Sequence, residues 1–316
     1  MCELSIIILF CDKDYELIPH LLERIEKNVP ITHEVILIDN REKYIEFHID
    51  TEFEIHTKNR NLYILEGRRW SLQFVSGRYV WFVDADDDIP PLNGKVIERL
   101  LSKGFDIISG GYIQKEDEGF SFSPQPSESP VYGKSIFTEE LFKSIGVSLW
   151  NKWLKTELAL LVYSKIPEGI EAVSNEDTSV IVLSLYYAKS FIHTNQVLYV
   201  YDRGNSLCCG STISTLEHFN HNLKGYAETL EILKNCIPDG SYNNLFGGDK
   251  VQSDCNWFTF RISYCHPSII KEAIKTVDSI FGRERILTSL HKISGWKNKE
   301  DFLPSLENSI NEFYSV

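Results

Sequence analysis

Over its first hundred residues the chain alternates short, unbroken apolar runs with stretches in which apolar residues recur every three or four positions. Ser5 to Phe10, Glu34 to Ile38 and Arg78 to Val83 are runs of the first kind, the mark of strands buried on both faces. Leu17, Ile18, Leu21, Leu22 and Ile25 share one side of a helix over Tyr15 to Ile25. The pattern also predicts a short third strand at Asn61 to Leu65, a helix at Trp70 to Val75 closed by Gly77, and a strand at Asp106 to Ile113. Strands alternating with helices imply βαβ units, hence an α/β fold with a mostly parallel, Rossmann-like sheet flanked by helices.

Gly119 to Gly133 is rich in Ser, Pro and Gly and lacks apolar periodicity, which predicts a loop beside the site. Phe137 to Leu161 reads as largely helical, Asp177 to Lys189 as another helix, and Val197 to Tyr201 as a late strand. After about Thr212 the period is helical to the end, as in Leu223 to Leu233 and Ile269 to Phe281. The expected division is a catalytic domain over residues 1–212 and a helical C-terminal region over 213–316.

Composition narrows the function. Of 316 residues, 43% are hydrophobic and 24% charged, ordinary for a globular chain with a real core. A net charge of −13 argues against nucleic acid as a partner, because phosphate binding needs a basic face, and gives no general attraction to anionic lipid. Glu3 precedes only a short apolar run, unlike a secretory signal. No apolar segment reaches the roughly 18 to 20 residues of a spanning helix. The expected location is cytoplasmic, with peripheral association at the inner membrane face left open. Seven cysteines without paired C-x-x-C spacing suit reduced thiols.

In parallel sheets ligands collect at the carboxyl ends of strands. Asp39 ends one strand, and Val80 to Val83 runs into Asp84-Ala85-Asp86-Asp87. A diphosphate leaves readily only when its charge is neutralised, which Mg²⁺ or Mn²⁺ does through carboxylate oxygens. An acidic turn capping the helix after Ile89-Pro90-Pro91 is the alternative; Asp39 at an earlier strand end favours the metal.

From Leu4 to Ser206 these residues resemble the family 2 glycosyltransferases, which share the GT-A fold and mostly invert the anomeric centre. The resemblance rests on Leu4 to Ile8, on Val35 to Asp39, on Arg68, on Gly77-Arg78-Tyr79 and on the Asp-x-Asp motif at Asp84 to Asp87. It implies that Asp39 contacts the base, that Arg68 belongs to the donor site, that Asp86 is the metal ligand and that Asp84 contacts nucleotide or metal water. Ser174-Asn175-Glu176-Asp177 resembles the family's Glu-Asp motif, which makes Asp177 the base for the acceptor hydroxyl and Glu176 its helper. The alternative is a pair of acids favoured by a helix dipole. Tyr199 to Ser206 resembles the family's Tyr-Arg-x-Arg-x-x-Ser tail, so Arg203 and Ser206 would hold the leaving diphosphate; a surface arginine in a turn is the alternative. Leu149 to Leu154 looks like the segment bordering the acceptor pocket, with Trp150 as the stacking candidate or else a core residue. His193 is a further metal ligand or a strand-edge histidine. The family pattern breaks at Arg69, where asparagine is usual, at Asn40-Arg41-Glu42-Lys43, at Cys11-Asp12-Lys13-Asp14 and at Asp202.

The resulting expectation is a metal-dependent hexosyltransferase that moves a sugar from a UDP-sugar to a saccharide or other hydroxyl acceptor, in bacterial surface polysaccharide synthesis. The rivals are a nucleotidyltransferase, which would carry a Gly-rich phosphate loop absent between Phe10 and Tyr15, and a degenerate protein that binds without turnover. The C-terminal helices are where homo-oligomerisation, membrane contact or docking of a partner would occur.

Overall fold

The computed structural model describes residues 2–41, 53–58, 60–116, 119–122, 128–170, 175–202, 215–293 and 303–315. The first half runs β1 (Leu4–Phe10), α1 (Ile18–Asn28), β2 (His33–Asp39), β3 (Glu54–Thr57), α2 (Ile64–Ser71), β4 (Tyr79–Asp84) and α3 (Gly94–Lys103). Next come β5 (Ile107–Glu116), β6 (Gly119–Phe122), β7 (Val131–Tyr132), α4 (Glu139–Ile145), β8 (Lys152–Lys155), α5 (Thr156–Lys165), α6 (Glu176–Tyr187) and β9 (Ser190–Asp202). The chain closes with α7 (Leu216–Cys236), α8 (Lys250–Ile262), α9 (Ile270–Phe281), α10 (Arg283–Ile293) and α11 (Leu303–Tyr314).

One nine-stranded sheet has the order β3-β2-β1-β4-β8-β5-β9-β7, with β6 paired to β5. β1 lies parallel to both β2 and β4, β3 is parallel to β2 and β9 to β5, while β8 runs antiparallel between β4 and β5. Along β1, Ile6 and Ile8 enter one buried cluster with Leu21 and Ile25 of α1, and Ile7 enters the other with Leu65 of α2. Both faces are covered, which is why the strand is apolar without alternation. Register then positions the chemistry: Phe10 pairs with Asp39 and Leu9 with Asp84, so both aspartates finish on the same edge of the sheet.

Several elements differ from the pattern-based expectation. Asn61 to Leu65 is not a strand; Asn40 hooks the backbone N–H and C=O of Leu62, and the chain enters α2. The third strand is β3, an edge strand of half-buried residues whose sequence offers little apolar signal. Of the helix expected at Trp70 to Val75 only Trp70 and Ser71 are helical, as the last residues of α2, which starts six residues earlier at Ile64. The helical reading of Phe137 to Leu161 is interrupted by β8, and the segment 119–133, expected as a loop, contains the short strands β6 and β7 at its two ends.

The C-terminal helices hold their own core of Phe219, Phe258, Ile274, Ile286 and Ile310. α7 joins this core to the sheet: Phe219 and Leu223 pack among the helices, while Ile232 and Leu233 pack in the cluster containing α5 and α6. Thr229 Oγ1 of α7 donates to the Asn175 carbonyl (3.1 Å) at the start of α6. Among the described residues no helix is long and apolar enough to cross a membrane.

Candidate active site

The turn after β4 distributes its acids in three directions. Asp87 points inward: Tyr199 Oη donates to its Oδ2 (2.8 Å) and the Asp202 N–H to its Oδ1 (2.7 Å). Burial, then repulsion from Asp84, pushes its carboxyl up to about 9, so it is a neutral structural link. The Asp84 N–H donates back to Tyr199 Oη (3.0 Å), and Asp88 pairs with Val200 through both backbone groups. The turn is therefore stitched to β9. It does not cap α3, whose N-cap is Asn93, accepting from the Val96 N–H (3.3 Å). Asp86 meets Lys13 Nζ at 3.5 Å, and the same ammonium lies 3.5 Å from Asp14.

Asp84 turns toward Arg68, the centre of the site. Arg68 is 4% exposed, and its guanidinium lies over the Phe82 ring at 5.6 Å. Nη1 donates to Asp177 (2.5 Å) and Glu176 (3.2 Å), and Nη2 to Asp84 (3.4 Å). One guanidinium thus collects the strand-end acid and the Glu-Asp pair of α6. A group with five donors in a fixed fork suits this spanning task. The Asp177 carboxylate also accepts the Leu149 N–H (2.9 Å), so its two oxygens are held from two sides. Asn175 precedes the pair with φ 62°, the left-handed region, which asparagine tolerates better than most residues. That bend starts α6 with both acids in its first turn.

Electrostatics separate the acids. Burial, then the charge of Asp177, raises Glu176 to about 8, with Arg68 opposing. Glu176 is accordingly the member of the pair that keeps its proton at neutral pH. Asp84 rises to about 6, chiefly through withdrawal from solvent, with Arg68 opposing and Asp177 and Asp86 reinforcing. Although 41% of its side-chain surface remains open, surrounding protein limits its hydration.

Among the described residues no three or more His, Cys, Asp or Glu side chains converge on a metal-sized gap. The donor set that does exist is two carboxylates, Asp84 and Asp86, one residue apart at the site's mouth. Mg²⁺ is commonly held by one or two carboxylates with water and substrate phosphates filling its other positions, and this pair fits that pattern. His193 does not join it. His193 is buried on β9 with neither ring nitrogen hydrogen-bonded, and burial with the nearby Lys152 charge lowers it to about 4.

Asp39 is buried and paired bidentately with Arg41 (2.8 and 2.7 Å), so its carboxylate is already engaged. Arg69, in place of the usual asparagine, donates to the carbonyls of Tyr163, Ile166 and Pro167 at the end of α5, satisfying groups a helix terminus leaves open. Trp150 is 9% exposed. Its indole stacks on Tyr199 and Tyr201, with Tyr112 edge-on, which leaves a stacking sugar only a margin of the ring. Arg203 and Ser206 lie outside the described residues. Sequence reading missed Lys13, the Leu149 N–H and Tyr199 as members of the site. Lys13 sits in the loop after β1, where a strand-end ligand position was expected, and that place was its only signal.

A mostly parallel sheet with acids at adjoining strand ends, joined by an arginine to a second acidic pair at a helix start, defines a GT-A domain. Residues 5–159 match the model of glycosyl transferase family 2, and this segment is a glycosyltransferase domain of that family. No curated protein matches it in sequence. Among solved structures, residues 1–349 of Staphylococcus aureus TarS in complex with UDP-GlcNAc align with a TM-score of 0.54 at 15% identity, covering 91% of this chain and 89% of that one. The same TarS fragment in complex with UDP aligns at 0.52 and 14% identity, covering 94% and 93%. The alignments extend the likeness of fold beyond the catalytic domain into the C-terminal helices.

Proposed function

We propose that the protein transfers a sugar from a UDP-sugar to a hydroxyl acceptor with inversion at the anomeric carbon. The observation that carries this reading is the convergence of Asp84 and Asp177 on Arg68, which sets a donor-side acid and a base candidate on one guanidinium. In the transfer Asp177 takes the proton of the acceptor hydroxyl, the freed oxygen pair forms the new bond to the anomeric carbon, and the bond to the UDP β-phosphate oxygen breaks with its electron pair leaving on UDP. Glu176, holding its proton, leaves the base role to its neighbour. Asp86 and Asp84 would hold Mn²⁺ or Mg²⁺, whose chemistry is to neutralise the diphosphate.

Support for the donor comes from TarS, whose structures hold UDP-GlcNAc and UDP; UDP-GlcNAc is the first sugar nucleotide to screen. Surface polysaccharide assembly is the setting suggested by the family resemblance. Calorimetric titration of UDP with and without Mn²⁺ tests the donor site. Binding that needs the metal and vanishes in Asp86→Ala supports it. Binding of UDP that is equally strong without metal and in Asp86→Ala removes the metal from the proposal, and no binding at all removes UDP.

A further inference from the structure

A cavity of about 220 Å³ lies where α6 and the segment before β8 meet the C-terminal helices. Its catalytic-domain wall is Thr178 and Val147. Thr178 follows Asp177 in α6, and Val147 lies two residues before Leu149, whose N–H holds the Asp177 carboxylate. The cavity therefore borders, from the side of the helical region, the two pieces of chain that fix the candidate base.

The opposite wall is mixed in chemistry. Tyr226 of α7 and Phe246 supply aromatic surface, and α8 supplies Ser253, Asp254, Asn256 and Trp257. Trp257 is 38% exposed, with its ring steadied by Phe260 (6.0 Å) and Tyr226 (6.4 Å). It is the accessible indole that Trp150 is not. At the back of the cavity Lys250 pairs with Asp254, both buried, and the ammonium lies over the Phe246 (4.6 Å) and Tyr226 (5.3 Å) rings. Gln252 Nε2 donates to Asn256 Oδ1 (2.9 Å), orienting that amide, and Lys292 of α10 stands at the rim.

A buried ion pair in the wall of a helical bundle is costly to desolvate compared with apolar packing, so the bundle's stability does not account for it. An apolar side chain filling the cavity would seal Lys250, Asp254 and Asn256 without adding hydrogen bonds. A sugar ring answers both surfaces: its C–H face lies on an aromatic platform and its hydroxyls reach carboxylate, amide and ammonium groups, the usual division between apolar lining and a few orienting polar groups. The volume is that of one ring rather than a chain of them. We propose that this cavity is a saccharide subsite of the acceptor, with Trp257 as platform and Asp254, Asn256 and Lys292 as hydroxyl partners. The proposal rests on the glycosyltransferase reading above, because only an acceptor needs to sit against the segment that carries Asp177.

The test is saturation-transfer NMR with a panel of methyl glycosides of glucose, galactose and N-acetylglucosamine, added to the protein of residues 1–316 in the presence of UDP and Mn²⁺. At least one glycoside should bind the wild type, and Trp257→Ala should weaken it about tenfold, with UDP titration curves unchanged. Val147→Trp, which narrows the mouth by adding to an exposed position, should weaken it as well, and it keeps the test decisive if Trp257→Ala unfolds. No glycoside binding to the wild type, or binding that persists at full strength in a folded variant, overturns the subsite. Glycoside binding through Trp257 in a protein that ignores UDP upholds the subsite and overturns the donor reading instead.

Discussion

Arg68 Nη1 stands 2.5 Å from Asp177 Oδ1, joining residues 109 positions apart, while Nη2 of the same guanidinium faces Asp84 at 3.4 Å. The acid at the end of β4 and the acid at the start of α6 are thus coupled through one buried cation. A change in charge at either is felt at the other, because little water intervenes to screen it.

The base assignment makes a kinetic prediction. Asp177→Asn retains an oxygen for the Leu149 N–H and removes the proton acceptor, so the fold and UDP binding should persist. Turnover should fall by about 10² to 10⁴, measured as UDP release from the donor in the presence of acceptor. Undiminished turnover would assign the base elsewhere.

Removing the cation is predicted to be structural as well as functional. Arg68→Met leaves Asp84, Glu176 and Asp177 without their shared partner. Breaking a buried ionic cluster in this way costs about 3 to 5 kcal/mol, readable as a lowered midpoint in urea unfolding. Arg68→Lys should recover only part of this, since a single ammonium cannot reproduce the fork that spans the acids. Full recovery by lysine would show that charge alone, and not geometry, holds the site.

The sequence made some of this visible and hid the rest for identifiable reasons. β1, β2 and β4 were legible because helices cover both faces of the sheet, leaving runs such as Ile6-Ile7-Ile8 unbroken. β8 was not. It contains Lys152, 1% exposed, whose ammonium is satisfied by the carbonyls of Ile145 and Ser148 and by Asn151 Oδ1; a charged residue so placed reads as a helix surface when its partners are unknown. The acids of the site announced themselves by spacing, at Asp84 and Asp86 and again at Glu176 and Asp177. Their meeting on Arg68, and the Tyr199 to Asp87 bond across 112 positions, depend on tertiary contacts that no local pattern encodes.

Arg69 offers a control beside Arg68. Its guanidinium closes the end of α5 through three carbonyls and makes no contact with the acids of the site. Arg69→Ala should lower stability by about 1 to 2 kcal/mol in the same unfolding experiment and leave UDP affinity where it was. Loss of UDP binding in a folded Arg69→Ala protein would place this residue in the donor site after all.

Glu176 predicts the pH dependence. Its carboxyl is raised from 4.5 to about 8, so the folded protein holds this proton more tightly than the unfolded chain does. Stability from this group is greatest below about pH 4.5 and is lost as pH rises through about 8, with a slope approaching about 1.4 kcal/mol per pH unit inside that window. Lys152 and Lys250, lowered by burial from 10.5 to about 7, act with the opposite sign between about 7 and 10.5. They are common to wild type and Glu176→Gln, so the difference between the two isolates the carboxyl. Urea unfolding from pH 5 to 8 should show the wild type declining relative to Glu176→Gln across that range. Parallel curves would mean that Glu176 ionises like an ordinary surface acid, and the reason for preferring Asp177 as the proton acceptor would be lost.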